Sequence, residues 1–336
     1  MLRLRSLVAA LAMSGVVSVA SATNWEALPS KAPEPADNPT TAAKVKLGQM
    51  LFHDPRLSST GTVSCASCHN TMLGGEDNRS VAMGVNGQTG GRSAPTVWNA
   101  AFNTVQFWDG RAPSLEAQAA GPVTNSIEMG MKNWRIVENR IKSIAGYQKA
   151  FEQVFGADSV SKENVTKAIA AYERTLITPN SAYDKYIKGN KKALTAQQIS
   201  GMNKFSELGC AGCHSGPAFN GPGSFQKFPV NSNSVFRAKY GFEKDKGLAE
   251  VTGNSADQGM WKVPTLRNIA MTAPYFHNGA VRTLDQAVNV MAKLQLDKDL
   301  SKQERADIVA FLNALTGEFP KQQMSKLPGT PGTAFK

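Results

Sequence analysis

The pattern C-x-x-C-H occurs twice in this chain and constrains its fold more than any other feature of the sequence. The two copies contain all four cysteines of the 336 residues. Their members are Cys65, Cys68 and His69 in the first copy and Cys210, Cys213 and His214 in the second. Two thiols followed directly by a histidine form the attachment signature of a c-type haem, in which the thiols bond to the haem vinyl groups and the histidine is an axial iron ligand. The sequence therefore predicts two covalently bound haem c groups.

A disulfide or a zinc ion explains these cysteines less well. A disulfide across two intervening residues closes too small a loop to stabilise a chain of this length. A structural zinc ion takes four ligands, whereas each motif offers three, and the chain has only four histidines in all. A zinc or disulfide protein therefore remains a remote alternative.

The first 22 residues have the pattern of a secretory signal. Arg3 and Arg5 precede an apolar run from Leu7 to Val19, and small residues stand at Ala20 and Ala22. The run is shorter than the roughly 20 residues that a membrane-spanning helix needs, so an uncleaved anchor is the weaker alternative. We expect cleavage near Ala22 and a soluble periplasmic protein with no stable membrane insertion.

The distribution of basic residues along the chain indicates whether a nucleic acid is a partner. The formal net charge is +11, but the basic residues are scattered, and few aromatic residues are interleaved with the densest run, "KGNKK". A solvated basic surface is the simplest interpretation of such a pattern. We therefore expect no nucleic-acid partner.

The rest of the chain predicts a mainly α fold, with two cytochrome c-like haem domains and long connecting loops. Apolar residues recur at helical spacing, and alternating strand patterns are scarce. Capping patterns open three of the predicted helices, at Thr195, Thr283 and Ser301. The predicted helical segments are 41–54, 133–144, 163–177, 195–208, 283–296 and 301–317. We assign residues 23–185 to an N-terminal domain and residues 186–336 to a C-terminal domain, with the break within 178–194.

The second axial ligand of each iron decides the function, because two strong ligands give an electron carrier and an open position permits peroxide chemistry. Met291 lies on a predicted helix after the second motif and is a candidate ligand there, although core packing would also explain it. For the first haem no histidine follows within the predicted domain. The other residues considered there are better explained by packing or surface roles; they are His53, Met72, Met83, Met129 and Met131.

Several segments in the same order resemble the bacterial dihaem cytochrome c peroxidases. The resemblance extends from about Leu47 to Gly317. It is carried by "CASCHNTMLGGEDN", "GRSAPTVWNAAFN", "QFWDGRAPSLEAQAAGPVTNSIEMG", "GCAGCHSGPAF", "VPTLRNIAMTAPYFHNG" and "LDQAVNVM". This order of motifs is far more specific than two haem signatures alone.

The resemblance implies two unequal haems. The N-terminal haem would be the low-potential, peroxidatic one, and the C-terminal haem would be the high-potential entry site for electrons, with Met291 as its sixth ligand. Trp108 matches the family tryptophan between the haems, and Gln118 and Glu128 match the active-site glutamine and glutamate. The implied reaction is reduction of hydrogen peroxide to water with electrons from a small cytochrome c or cupredoxin. Relatives are commonly homodimers, so we expect one here.

The same resemblance implies a calcium ion and shows two departures from the family pattern. Ser93, Thr272 and Pro274 match the calcium-binding positions, but Ser93 replaces an asparagine, and a hydroxyl is a weaker oxygen ligand than an amide carbonyl. Val85 stands where many members have a histidine that blocks the peroxidatic iron. Valine cannot ligate iron, so we expect the first haem to be open without reductive activation. His277 matches a family histidine, with a structural or propionate-contact role.

Two rival functions remain. A non-enzymatic dihaem electron carrier would have both irons saturated by strong ligands, which the missing distal histidine disfavours. A protein-modifying oxidase like the methylamine-utilisation dihaem enzymes would carry tyrosine where Met291 stands.

Overall fold

The computed structural model describes residues 24–231 and 234–330, so the predicted signal segment lies outside the described residues. The helices are α1 Ala42–His53, α2 Cys65–Cys68, α3 Leu115–Thr124, α4 Trp134–Lys142, α5 Ala145–Phe155, α6 Lys162–Glu173, α7 Ala182–Ile187, α8 Ala196–Glu207, α9 Val235–Tyr240, α10 Ala249–Thr252, α11 Leu284–Leu296 and α12 Lys302–Asn313. Strands β1, Phe225–Lys227, and β2, Met260–Lys262, form one antiparallel pair. The mainly α prediction is confirmed, and long loops separate the helices.

The six predicted helical segments are all helical, at α1, α4, α6, α8, α11 and α12. Reciprocal capping boxes start α8 at Thr195 and α12 at Ser301, where the side chain three residues on returns the hydrogen bond. At α11 the Thr283 hydroxyl accepts a hydrogen bond from the backbone N–H of Gln286. These helices begin where the sequence provides a side-chain acceptor for their unpaired N–H groups.

Each haem motif lies beside a pair of closely crossing helices. In the first pair α1 crosses α6 at Gly48, where an added Cβ would overlap the carbonyl oxygen of Ala168. In the second pair α8 crosses α12 at Gly201, where an added Cβ would overlap the carbonyl oxygen of Asp307. Because glycine has no side chain, the backbones can approach this closely at both points.

Two hydrophobic cores surround these crossings. The first is built from residues between Leu47 and Leu176, and the second from residues between Tyr183 and Leu315. Near the two ends of the described residues, Trp25 packs against the second core, whereas Leu327 packs against the first.

The segment expected to separate the two domains contains α7, and the proposed boundary at residue 185 falls within this helix. Its Asp184 forms a salt bridge of 2.9 Å with Arg267, and both side chains are fully buried. The boundary stays a prediction. Among the described residues, no helix is long and apolar enough to cross a membrane.

Candidate haem sites and active site

A cavity of about 540 Å³ lies beside the first C-x-x-C-H motif, and Cys65, Cys68 and His69 line it. This volume is within the roughly 300–1,000 Å³ usual for cofactor and ligand pockets. The motif forms the short helix α2, which the Ser64 and Ser67 side chains cap. The site can therefore accommodate a large planar cofactor next to both thiols.

The imidazole of His69 is oriented for metal ligation. Its Nδ1 lies 2.9 Å from the carbonyl oxygen of Pro95, which can only accept a hydrogen bond, so Nδ1 carries the proton and Nε2 keeps its lone pair. Burial lowers the pKa of His69, which favours the neutral, ligating form. A hydrogen bond of this kind is usual for a metal-ligating histidine.

The four cysteines form no disulfide. Burial raises the pKa of Cys65 to about 12 and that of Cys68 to about 11, so both thiols are neutral in this structure. Among the described residues, no three His, Cys, Asp or Glu side chains converge as a metal-binding group. These observations disfavour the zinc and disulfide alternatives and fit thiols available for haem attachment.

The wall of the first cavity also carries Gln118, on α3, and Glu128, in the loop that follows α3. Burial raises the pKa of Glu128, and the positive charge of Arg111 partly opposes this shift. Arg111 lines the same cavity and pairs with Asp109 at 2.8 Å. The structure thus places Gln118 and Glu128, the two polar residues implied by the family resemblance, in the wall of one cavity, together with the cation of Arg111.

The loop that contains Val85 packs against the loop that contains Glu128. The backbone N–H of Val85 donates a hydrogen bond of 2.9 Å to the carbonyl oxygen of Glu128. The Val85 side chain is buried and lies close to Gly130, while its neighbours Met83 and Gly84 line the cavity.

A second cavity of about 190 Å³ lies beside the second motif, with Cys210, His214 and Met291 in its wall. His214 Nδ1 lies 3.1 Å from the carbonyl oxygen of Phe219, so its Nε2 is free to ligate, as in the first motif. Cys213, in the turn between Cys210 and His214, is partly buried. The residues of the second motif and Met291 would hold a haem at this cavity.

Trp108 lines both cavities. Its indole Nε1–H donates a hydrogen bond of 2.9 Å to the carbonyl oxygen of Ser93, and Ser93 also belongs to both walls. The two cavities are therefore neighbours, and Trp108 and Ser93 form part of the wall between them.

The positions matched to the family's calcium site are close to this wall. Ser93, Thr272 and Pro274 all line the second cavity. Glu76 lines it as well, is only 2% exposed, and accepts a hydrogen bond from the Asn78 amide at 2.9 Å. Burial raises the pKa of Glu76 to about 8. Oxygen donors of this type suit calcium, and sequence reasoning did not nominate Glu76.

The remaining histidines lie outside the walls of both cavities. His53 Nδ1 pairs with the carbonyl oxygen of Gln49 at 2.9 Å, within its own helix. His277 is buried and stacked on Trp261, with ring centroids 4.1 Å apart, and its Nε2 has no hydrogen-bond partner among the described residues. These positions fit a packing role for His53, and the structural or propionate-contact role of His277 stays a prediction.

The methionines considered for the first haem divide into two groups. Met83 and Met129 line the first cavity. Met72 is 76% exposed, and Met131 is buried in the first core. Two other residues of the cavity walls were not predicted from the sequence: Glu173, which is buried on α6, and Lys262, at the end of β2. Neither carries a local pattern that distinguishes it from a surface residue.

The chain is similar to known proteins over most of its length. Residues 42–192 match the family described as di-haem cytochrome c peroxidase. The chain is 45% identical to cytochrome c551 peroxidase of Nitrosomonas europaea, over 88% of this chain and 86% of that one. It is 41% identical to cytochrome c551 peroxidase of Pseudomonas aeruginosa, over 92% and 89%.

A solved structure shares the fold as well. It is a MauG-like protein associated with microbial copper homeostasis, with a TM-score of 0.76 and 29% identity, covering 88% of this chain and 96% of that one. Together with two haem motifs that each border a cavity, these similarities show that the chain belongs to the di-haem cytochrome c peroxidase family.

Proposed function

We propose that this protein is a periplasmic dihaem peroxidase that reduces hydrogen peroxide to water with electrons from a small cytochrome c or cupredoxin. The observation that carries the proposal is the position of Trp108 in the wall shared by two unlike cavities. One cavity has Gln118 and Glu128 in its wall, and the other has Met291. Such a pair can divide the work between peroxide chemistry and electron storage.

Two haem c groups would be held by Cys65 and Cys68 in the first cavity and by Cys210 and Cys213 in the second. His69 and His214 would be their proximal iron ligands, with Met291 as the sixth ligand of the second. When bound, the first haem supplies the iron at which peroxide is reduced. The second would have the higher potential, because methionine as an axial ligand raises it.

Glu128 is proposed as the proton carrier. Cleavage of the O–O bond needs a proton removed from one peroxide oxygen and delivered to the other, and one carboxylate beside the substrate can do both. Burial raises its pKa, which makes the protonated form easier to reach. Gln118 would orient the peroxide and donate a hydrogen bond to the oxygen that becomes negative.

The need for two haems follows from the electron count. Reduction of peroxide to water consumes two electrons, and donors of the proposed kind deliver one at a time. Trp108, which borders both cavities, is the proposed route between them. The first haem is proposed to be open at rest because Val85 offers no ligand atom.

Calcium is proposed at the wall between the sites, with oxygen atoms of Ser93, Thr272 and Pro274 as ligands. Glu76 would supply a carboxylate near the position where Ser93 replaces the family asparagine. The proposed homodimer rests on the family resemblance alone.

Two rivals remain, and one experiment separates them from the peroxidase. Holoprotein is mixed with hydrogen peroxide and a reduced small cytochrome c, and oxidation of the cytochrome is followed. Turnover proportional to enzyme supports the proposal; absence of turnover with two attached haems favours the electron carrier. The protein-modifying oxidase would instead depend on a protein substrate, and Met291 in place of its tyrosine disfavours it.

A further inference from the structure

Lys262 is a partly buried cation in the wall of the second cavity. It ends strand β2, and its side chain lines the cavity together with His214 and Met291. Its Nζ has no hydrogen-bond or ion-pair partner among the described residues. Burial alone lowers its pKa to about 8.

A cation without a counter-ion in a partly desolvated wall is unfavourable, because a buried charge is stable only when it is paired. Five other side chains of the same wall are charged or titratable; they are Glu76, Cys210, His214, Tyr275 and Lys298. Burial raises the pKa of Glu76 to about 8. The pKa shift of Lys262 is caused by burial, and Glu76 is not among its causes. Lys298 is exposed and also positive. The tyrosine of the wall, Tyr275, has its pKa raised to about 12 and stays neutral.

The haem proposed for this cavity carries the negative charge that would pair with the ammonium group of Lys262. A haem has two propionate side chains, and each is a carboxylate at neutral pH. We propose that Lys262 binds a propionate of the second haem and thereby raises the reduction potential of that haem. This inference rests on the proposed second haem site and adds a cofactor-binding residue to it.

The backbone of Lys262 connects this contact to the wall between the two sites. Its N–H donates a hydrogen bond of 3.0 Å to the carbonyl oxygen of Trp108, whose indole in turn bonds to Ser93. The cation that would pair with the propionate is therefore attached to the residue that borders both cavities. A positive charge at this place also stabilises the reduced form of the second haem relative to the oxidised form, because oxidation adds a positive charge nearby.

The test is a redox titration of the purified holoprotein and three variants at several pH values. Lys262→Met removes the charge in the wall, Lys262→Arg keeps it, and Lys298→Met removes a charge from the exposed mouth of the same cavity. Haem content is measured first in each protein. We expect Lys262→Met to shift the equilibrium for one-electron reduction of the second haem about tenfold towards the oxidised form, which is 59 mV. Lys262→Arg and Lys298→Met should shift it much less.

The pH series separates a propionate contact from a general charge effect. Without its cation, the propionate takes up a proton more readily, so the potential of the Lys262→Met protein should fall as pH rises from 5 to 8. The wild-type potential should vary little over the same range.

Three results would overturn the inference. A Lys262→Met potential equal to that of Lys298→Met, with both haems attached, would show that Lys262 contacts no propionate. A lower potential without any new pH dependence would show a charge effect alone. Wild-type protein with fewer than two covalent haems would overturn the proposed function itself. If Lys262→Met yields no holoprotein, Lys262→Gln against Lys262→Arg makes the same comparison.

Discussion

The backbone N–H of Val85 donates a hydrogen bond of 2.9 Å to the carbonyl oxygen of Glu128. This bond joins the loop in which Val85 replaces the family histidine to the loop that carries Glu128, the proposed proton carrier. The Val85 side chain lies against Gly130, and Met83 and Gly84 beside it face the first cavity. Position 85 therefore directly follows two residues of the cavity wall in the chain.

Val85→His should therefore supply a ligand to the first iron. We expect the oxidised variant to lose the high-spin component of its absorption spectrum and to react with peroxide at least tenfold more slowly than wild type. One-electron reduction should restore part of the rate. Val85→Ala, which adds no ligand atom, serves as the control. A Val85→His protein that stays as reactive as Val85→Ala would show that this loop does not reach the iron.

Glu128→Gln should slow peroxide cleavage by roughly 10²–10⁴-fold, the range typical of a positioned acid–base group. Stopped-flow mixing of holoprotein with peroxide gives the rate, and Glu152→Gln, at an exposed position of α5, is the control. In the wild type the rate should fall at low pH, because the carboxylate is then protonated and cannot accept the peroxide proton. Burial places this loss at a higher pH than for an ordinary glutamate. An unchanged rate in Glu128→Gln would remove this residue from the mechanism.

Met291→His should lower the reduction potential of the second haem, because imidazole donates more charge to iron than a thioether does. Axial ligands shift haem potentials over a range of about 0.8 V, so we expect a fall on the order of 0.1 V or more. Potentiometry with optical detection measures it. Met202→Leu changes a buried methionine of the second core that lies outside the cavity wall, and it should leave the potential unchanged. Equal potentials in the two variants would contradict ligation by Met291.

Asp184→Asn should destabilise the holoprotein by about 3–5 kcal/mol, because it leaves the buried guanidinium of Arg267 without its counter-ion. Asp184 also accepts a hydrogen bond of 2.8 Å from the backbone N–H of Leu28, near the start of the described chain. Chemical denaturation followed by circular dichroism measures the loss. Lys185→Gln breaks the adjacent exposed pair with Glu318 and should cost less than about 1 kcal/mol. Similar losses of stability in the two variants would show that the buried Asp184–Arg267 pair contributes no more than the exposed Lys185–Glu318 pair.

The sequence predicted features that depend on short segments. The two haem motifs, the six helices and their caps at Thr195 and Ser301 all follow from local patterns. The family resemblance nominated Gln118 and Glu128, and the structure brings both to one cavity.

Features that depend on tertiary packing could not be predicted. Nothing around Gly48 or Gly201 indicates that two helix backbones meet there, because the partner residues lie more than 100 positions away. The burial of Glu76 and Lys262 beside the second cavity arises in the same way, since residues distant in sequence form its wall. Similarly, α7 lies in a segment whose polar composition indicated a break, and the buried Asp184 is stabilised there by Arg267.

The most direct test of the account is the low-temperature electron paramagnetic resonance spectrum of the fully oxidised holoprotein. Two unlike irons should give one high-spin ferric signal from the first haem and one low-spin signal from the second. Two low-spin signals and no high-spin component would mean that a side chain, such as Met83 or Met129, already occupies the first iron, and would contradict the central claim.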